Sequence, residues 1–270
     1  MINKKIGIIG CGNMGEAIYS RLARVMEKDI TLIVSETDGS RRDALFAKHK
    51  IAADADNDRV FRYSDIIIIA VKPKDFESVL AQGKTCSIST DKLLISIAAG
   101  VTTKHIELVV GKEIPVIRAM PNMPAVIGEA ISSISAGSSA TEEHMNMARE
   151  IFSMIGTVVE VEEKLVDAVT AISGSGPAYF FYFIENLIEA AKDLKLDDDT
   201  ARELVIKTAL GSAKLLDQSG EDPGLLRRKV TSKGGTTEAA IKVFDNKNLK
   251  EIIAFAAEAA CKRSKELSGG

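Results

Sequence analysis

From the N-terminus to about residue 160 the apolar positions keep changing their spacing. Lys5-Ile-Gly-Ile-Ile-Gly10 is a short apolar run, whereas beyond Gly15 the apolar residues fall at Ala17, Ile18, Leu22 and Val25, one face of a helix. Ile30-Thr-Leu-Ile-Val-Ser35 predicts a second strand, residues 41–50 a helix, and residues 51–53 a short strand. Asp65-Ile-Ile-Ile-Ile-Ala-Val71 and Leu93-Leu-Ile-Ser-Ile-Ala-Ala99 are unbroken runs, the mark of strands buried on both faces of a parallel sheet. Residues 114–120, 130–135 and 156–161 read as further strands, with a helix over 142–155. This alternation predicts a doubly wound, Rossmann-type α/β domain over residues 1–162.

From Lys164 onward the pattern holds helices and no strand, predicting an all-α domain over residues 163–270. Pro177 falls in the first turn of a helix, where it is tolerated. The following Tyr179-Phe-Phe-Tyr-Phe-Ile184 is apolar on every side, and such a helix must be covered all round. A domain this small has little material for that, so a second subunit is expected to cover it. A helix over 200–216 is capped by the acidic residues 197–199, and a last one, rich in alanine, spans 249–267.

The first strand-to-helix turn carries Gly10-Cys-Gly12-Asn13-Met14-Gly15. Gly10 permits the tight turn, Gly12 lets backbone approach a pyrophosphate, and Gly15 lets the helix pack on the strand. The N–H groups opening that helix then face the phosphates, so a dinucleotide site is expected. The same turn also occurs in sheet proteins that bind no nucleotide. Ser35 and Glu36 end the second strand about 20 residues on, where an acidic ribose ligand is expected. A carboxylate there favours a free 2′-hydroxyl and repels a 2′-phosphate; Arg41 and Arg42 follow and supply a rival clamp for that phosphate. Glu36 also reads as a solvated loop charge, and the cofactor stays open between NAD and NADP. Small residues at Ala98, Ala99 and Gly100 suit either a flat nicotinamide ring or close helix–sheet packing.

A second candidate anion site is Ser232-Lys-Gly234-Gly235-Thr236-Thr237, where glycines and hydroxyls open a helix. With a phosphate site already at the other end of the chain, this one suits a small carboxylate substrate. An ordinary cap by Thr236 or Thr237 is the competing reading.

The composition narrows the classes. A formal net charge of −3 over 270 residues argues against nucleic acid as partner. No stretch approaches a membrane span, and Met1-Ile-Asn-Lys-Lys5 lies too close to a glycine-broken run to be a signal peptide. Cys11, Cys86 and Cys261 have no paired spacing for a metal or redox couple and read as reduced, partly buried thiols. A cytoplasmic protein without a metal is expected.

The chain resembles Δ1-pyrroline-5-carboxylate reductase over nearly its full length. The resemblance rests on the turn at 10–15, Ala70-Val71-Lys72-Pro73, Ala98-Ala99-Gly100, Met120-Pro-Asn-Met-Pro124, Ser173-Gly-Ser-Gly-Pro-Ala-Tyr179 and Val230-Thr-Ser-Lys-Gly-Gly-Thr-Thr237. It implies hydride transfer from NAD(P)H to the C=N carbon of 1-pyrroline-5-carboxylate, giving L-proline, and a helical dimerisation domain, often with a ring of dimers giving a decamer. It places Ser232, Gly234, Gly235, Thr236 and Thr237 on the substrate carboxylate and ring nitrogen. Asn57 faces the adenosine ribose, and Val71, Lys72, Pro73, Ala98 and Ala99 surround the nicotinamide. Met123 stands where the family more usually has threonine, and Glu36 where a phosphate-binding serine or arginine is common.

A protonated iminium needs no strong enzyme acid. The sequence agrees: His49, His105 and His144 all lie in the first half. Catalysis is expected from positioning and a hydrogen bond from Thr237 to the ring nitrogen. Two rivals stand. A β-hydroxyacid dehydrogenase would need a lysine where this chain has Phe180, and a module that senses NAD(P) without turnover would not need the second anion site.

Overall fold

The computed structural model describes residues 4–25, 31–85, 88–110 and 113–267; Cys86, Ile30 and the first three residues, on which expectations were placed above, lie outside them. The strands are β1 (Ile6–Ile9), β2 (Leu32–Ser35), β3 (Ile66–Ile69), β4 (Leu93–Ser96), β5 (Val116–Met120), β6 (Ala130–Ala136) and β7 (Gly156–Glu160). Between them run α1 (Asn13–Val25), α2 (Gly39–His49), α3 (Asp58–Tyr63), α4 (Pro73–Thr85), α5 (Thr103–Val110) and α6 (Glu142–Ser153). They form one sheet in the order β2-β1-β3-β4-β5-β6-β7. Strands β1 to β5 are parallel, β6 runs antiparallel to β5, and β7 parallel to β6.

The isoleucine runs behave as strands covered on both sides. Successive residues point to opposite faces, so Ile66, Ile68, Leu93 and Ile95 enter one core with Ile18 and Leu22 of α1. Ile67, Ile69 and Leu94 enter the other with Phe76 and Leu80 of α4 and Ile106 of α5. The expected strand at 51–53 is not formed. What remains is an isolated bridge between Ser35 and Asp54. After Ile51 the segment runs Ala-Ala-Asp-Ala-Asp56, residue types poor at holding a sheet edge.

Register positions the site. Ile9 pairs with Ser35 on one side and Ile69 on the other, and Ile69 pairs with Ser96. The ladder runs one step further, with Gly10 N donating to Ser35 O at 2.9 Å, Ala70 N to Ile9 O at 2.8 Å and Ile97 N to Ile69 O at 3.1 Å. Gly10, Glu36, Ala70 and Ile97 therefore leave the sheet at one level, on the side of its carboxyl ends. Since β2 and β3 flank β1, that rim is also the switch point where doubly wound sheets take ligands.

Beyond β7 the described chain holds helical elements only: a short 3₁₀ turn (Glu163–Leu165), α7 (Val166–Val169), a π turn (Thr170–Gly174), α8 (Gly176–Asp193), α9 (Asp198–Ser219), α10 (Pro223–Lys229), α11 (Thr236–Asn246) and α12 (Leu249–Leu267). The strand pattern ends near 162, but packing divides the chain elsewhere. One compact unit takes in the chain up to Ser175 and the stretch from Ala260; the other is Gly176–Ala259. Buried polar groups explain the difference. Glu163 accepts from the N–H and the hydroxyl of Thr103, each at 2.7 Å, and lies 3.5 Å from the buried Arg118 of β5. Ser264 of α12 donates to Asp167 at 2.6 Å. The end of α12 also runs so close to Gly100 that a Cβ there would stand 2.8 Å from the Leu267 carbonyl.

In the second unit α8 pairs with α9, whose start is capped by Asp197 accepting from Thr200 N at 3.0 Å. Only Gly176, Ala201 and Val205 are buried among its residues. Phe180, Phe181 and Tyr182 are 71%, 63% and 70% exposed. A helical layer with so little interior gains little from burial against the entropy cost of folding, and the aromatic residues of α8 stand open in the single chain.

Candidate active site

The turn between β1 and α1 divides its work among its glycines. Gly10 has φ +85°, and a Cβ there would strike Val71 Cγ1 at 2.7 Å. A Cβ on Gly15 would stand 2.2 Å from the carbonyl oxygen of Gly10, so this glycine lets the helix close onto the strand. Around Gly12 a Cβ would meet no described atom within 4 Å. Its exposed face is open, and among the described residues no hydrogen-bond partner is recorded for the N–H groups of Asn13 and Met14 beside it. That is a cradle for an anion: free donors, a helix N-terminus and room for close approach.

Two adjoining cavities share Gly12, Ala70, Val71 and Lys72. The first, of about 460 Å³, adds Gly10, Ser35, Glu36, Asn57 and Gln82 to its lining. The second, of about 580 Å³, adds Asn13, Met14, Arg41, Pro73, Ala98 and Ala99, with Met120 and Pro121. Every residue expected at the cofactor site lines one of them except Gly15, whose role is packing. Ala98 and Ala99 line the cavity, and Gly100 faces the end of α12, the close packing that its lack of a side chain permits.

Side chains in the first cavity are fixed by one another. Ser35 Oγ donates to Asn57 Oδ1 at 2.7 Å, and Asn57 Nδ2 donates to Gln82 Oε1 at 2.7 Å. Gln82 had no signal in the sequence, being one polar residue on α4. Glu36 is no loose loop charge: it accepts from Cys11 N at 2.9 Å and Asp38 N at 3.0 Å. Arg41 donates through Nε to Cys11 O at 2.9 Å and pairs with Glu16, which also takes Lys48 at 2.8 Å and His49 at 2.7 Å. Burial alone would raise the Glu16 carboxyl, but hydrogen bonds from Lys48 and His49 and the charge of Arg41 outweigh it and hold it at about 2. Burial pushes the Cys11 thiol up to about 12, so it is no nucleophile.

The loop at 120–124 is anchored by Asn122, whose Oδ1 accepts from Ile131 N at 3.0 Å and whose Nδ2 donates to Ser173 O at 3.1 Å. Met123 opens a 3₁₀ turn and is exposed, so Asn122 carries this loop's polar contacts. Among the histidines, His49 and His105 bond to glutamates and His144 completes a capping box with Thr141.

In the second unit, residues 232–237 form a turn into α11. Gly234 has φ +75° and donates its N–H to Glu238 Oε2 at 2.7 Å; Gly235 donates to Ser232 O at 3.0 Å. That contact and Lys242 keep the Glu238 carboxyl below the usual range. The helix cap is Gly235 with no side-chain cap bond, so the threonine-cap reading does not hold. Among the described residues the N–H groups of Thr236 and Thr237, at the start of α11, have no hydrogen-bond partner.

Comparison with known proteins matches this layout. A pyrroline-5-carboxylate reductase from Methanosarcina acetivorans is 40% identical over 99% of this chain and 99% of its own length. The chain belongs to the pyrroline-5-carboxylate reductase family. A family model described as pyrroline-5-carboxylate reductase dimerisation matches residues 163–267, and one described as NADP oxidoreductase, coenzyme F420-dependent, matches residues 5–100. Among solved reductases, that of Coxiella burnetii superposes with a TM-score of 0.90 at 35% identity, covering 99% of both chains. The reductase of Plasmodium falciparum, solved with NADP bound, gives 0.89 at 31% identity, again over 99% of both chains. As a reductase of this family the chain combines a seven-stranded dinucleotide-binding fold with helices that match a dimerisation domain.

Proposed function

We propose that this chain is a pyrroline-5-carboxylate reductase, transferring hydride from NAD(P)H to the imine carbon of 1-pyrroline-5-carboxylate to give L-proline. The observation that carries the reading is similarity unbroken over both anion cradles, at 99% coverage of chain and relative. The open Gly12, the unengaged N–H groups of Asn13 and Met14, and the small rim at Ala98 and Ala99 fit a dinucleotide. Gly10, Gly12, Asn13 and Met14 would hold its pyrophosphate, with Gly15 closing α1 onto β1 beside them, Ser35, Glu36 and Asn57 its adenosine ribose, and Ala70, Val71, Lys72, Pro73, Ala98 and Ala99 its nicotinamide half. When bound, the reduced nicotinamide supplies the hydride. Ser232, Gly234, Gly235, Thr236 and Thr237 hold the substrate, with the N–H groups of Thr236 and Thr237 as the donors left for its carboxylate.

Chemistry then rests on positioning. The iminium carbon is electrophilic without a strong acid, and as it is reduced the ring nitrogen gains a lone pair to which the Thr237 hydroxyl donates. Functionally the chain divides at residue 162 into a dinucleotide-binding part and, over 163–270, a dimerisation and substrate-binding part. The exposed apolar face of α8 supports a homodimer, and a ring of dimers giving a decamer is part of the same reading. Among the described residues no helix is long and apolar enough to cross a membrane, and Cys11 and Cys261 are free thiols, in keeping with a cytoplasmic enzyme. Against a β-hydroxyacid dehydrogenase stands Phe180 in place of a lysine.

The test is to mix the protein with pyrroline-5-carboxylate and NADH or NADPH and follow the cofactor's absorbance. Turnover with either supports the reading. Flat traces with both, in a protein that still binds cofactor, would leave the sensor.

A further inference from the structure

Three acidic residues, Glu16, Glu36 and Asp38, stand about the rim where an adenosine ribose would sit, and between them they engage the Ser40 hydroxyl and the Arg41 guanidinium. Glu36 stands at the end of β2 with both carboxylate oxygens facing backbone donors, Cys11 N at 2.9 Å and Asp38 N at 3.0 Å. Ser40, Arg41 and Arg42 follow, the two arginines being the clamp that would take a 2′-phosphate. Ser40 Oγ donates to Asp38 at 2.7 Å, and Arg41 N donates to the same oxygen at 3.1 Å. The Arg41 guanidinium is drawn off to Glu16 and Cys11 O, on the wall of the larger cavity rather than the one Glu36 lines. Arg42 is turned onto the carbonyls of Glu36 and Thr37, at 2.8 and 2.9 Å. Lys72, just beyond β3, and Lys74, in the first turn of α4, also line Glu36's cavity.

Building on the reductase reading, we propose that this chain selects NADH over NADPH by two devices: Glu36 repels a 2′-phosphate, and Glu16 withholds the arginine that would bind one. Glu16 is thus a specificity-determining residue that need never touch the cofactor. A 2′-hydroxyl, by contrast, meets an acceptor in Glu36 already oriented by its two backbone donors. The repulsion acts in a rim open to water, so a preference of at least about tenfold is expected, the ratio that ~1.4 kcal/mol represents.

The experiment is a fluorescence titration of NADH and of NADPH into the wild type, Glu36→Ser, Glu16→Gln and the double variant. It reads binding, so it decides the matter even if the protein fails to turn over pyrroline-5-carboxylate, an outcome that would count against the reductase reading alone. The wild type should bind NADH at least about tenfold tighter. Glu16→Gln should tighten NADPH while leaving NADH within about twofold, and the double variant should bring the two cofactors level or reverse them. Should Glu16→Gln prove unstable, Glu16→Asp, a carboxylate too short to hold Arg41, serves in its place. A wild type that binds NADPH as well as NADH overturns the proposal. Equal changes for both cofactors in the Glu16 variant would overturn the role of Glu16, since a merely structural part would move them together.

Discussion

Gly12 and Gly15 lie three residues apart in one turn, yet alanine at each should fail in different ways. At Gly15 the added Cβ would stand 2.2 Å from a backbone oxygen that cannot turn aside. An ordinary carbon–oxygen contact is about 3.3–3.6 Å, so the start of α1 must retreat by roughly 1 Å. Overpacking of this kind costs about 1–3 kcal/mol, and at about 2–4 °C per kcal/mol for a unit of this size the melting temperature should fall measurably. The same retreat moves the N–H groups that face the phosphates, and a 1 Å misplacement is worth about a hundredfold. At Gly12 no described atom lies within 4 Å of the added Cβ, so stability should stay within about 0.5 kcal/mol. The methyl would instead occupy the approach of the pyrophosphate, and affinity should drop about tenfold or more, since a single lost backbone approach is worth ~1.4 kcal/mol or above. Thermal unfolding together with cofactor titration on both variants reads the two effects separately. A Gly12→Ala protein that binds cofactor like the wild type, or a Gly15→Ala protein that melts unchanged, would refute the division of labour.

Thr237→Ala should lower kcat/KM for pyrroline-5-carboxylate by roughly one to three orders of magnitude with cofactor binding intact; an unchanged rate removes Thr237 from the chemistry. Glu16, held at about 2 in the folded chain and higher when unfolded, contributes stability that is fully present above about pH 4.5 and lost as pH falls toward 2. The gap in unfolding free energy between wild type and Glu16→Gln should therefore close over that window, and a gap that persists at pH 2 would contradict the ion cluster. Phe181→Asp with Tyr182→Asp on α8 places charge on an apolar face exposed in the single chain. Sedimentation should show a smaller assembly than the wild type, and an unaltered mass would exclude α8 as the subunit contact.

Much of this was legible because the relevant physics is local. Unbroken isoleucine runs announce strands covered on both faces, a glycine turn between strand and helix announces an anion cradle, and an aspartate before a helical stretch caps it, as Asp197 does. Other features had no local signal. The strand expected at 51–53 fell away because pairing at a sheet edge depends on what the neighbour offers. Residues 163–175 carry no strand pattern, yet they pack with the sheet because the buried Arg118 needs the carboxylates of Glu163 and Asp167, at 3.5 and 3.9 Å. Gln82, one polar residue among many, matters only because α4 brings it to Asn57.

The sequence by itself determined the alternation of strands and helices, the two glycine turns that open helices and an apolar stretch in the second half, since each follows from spacing within one or two turns of chain. Tertiary structure alone decided which acid meets which base. Arg41 reads as a phosphate clamp when its neighbours are taken in order; folding sets it against Glu16, 25 residues earlier, and turns it into a captive. Side-chain partners of this kind are chosen by register and crossover geometry, which bring distant residues within hydrogen-bonding range and leave no trace in the local pattern.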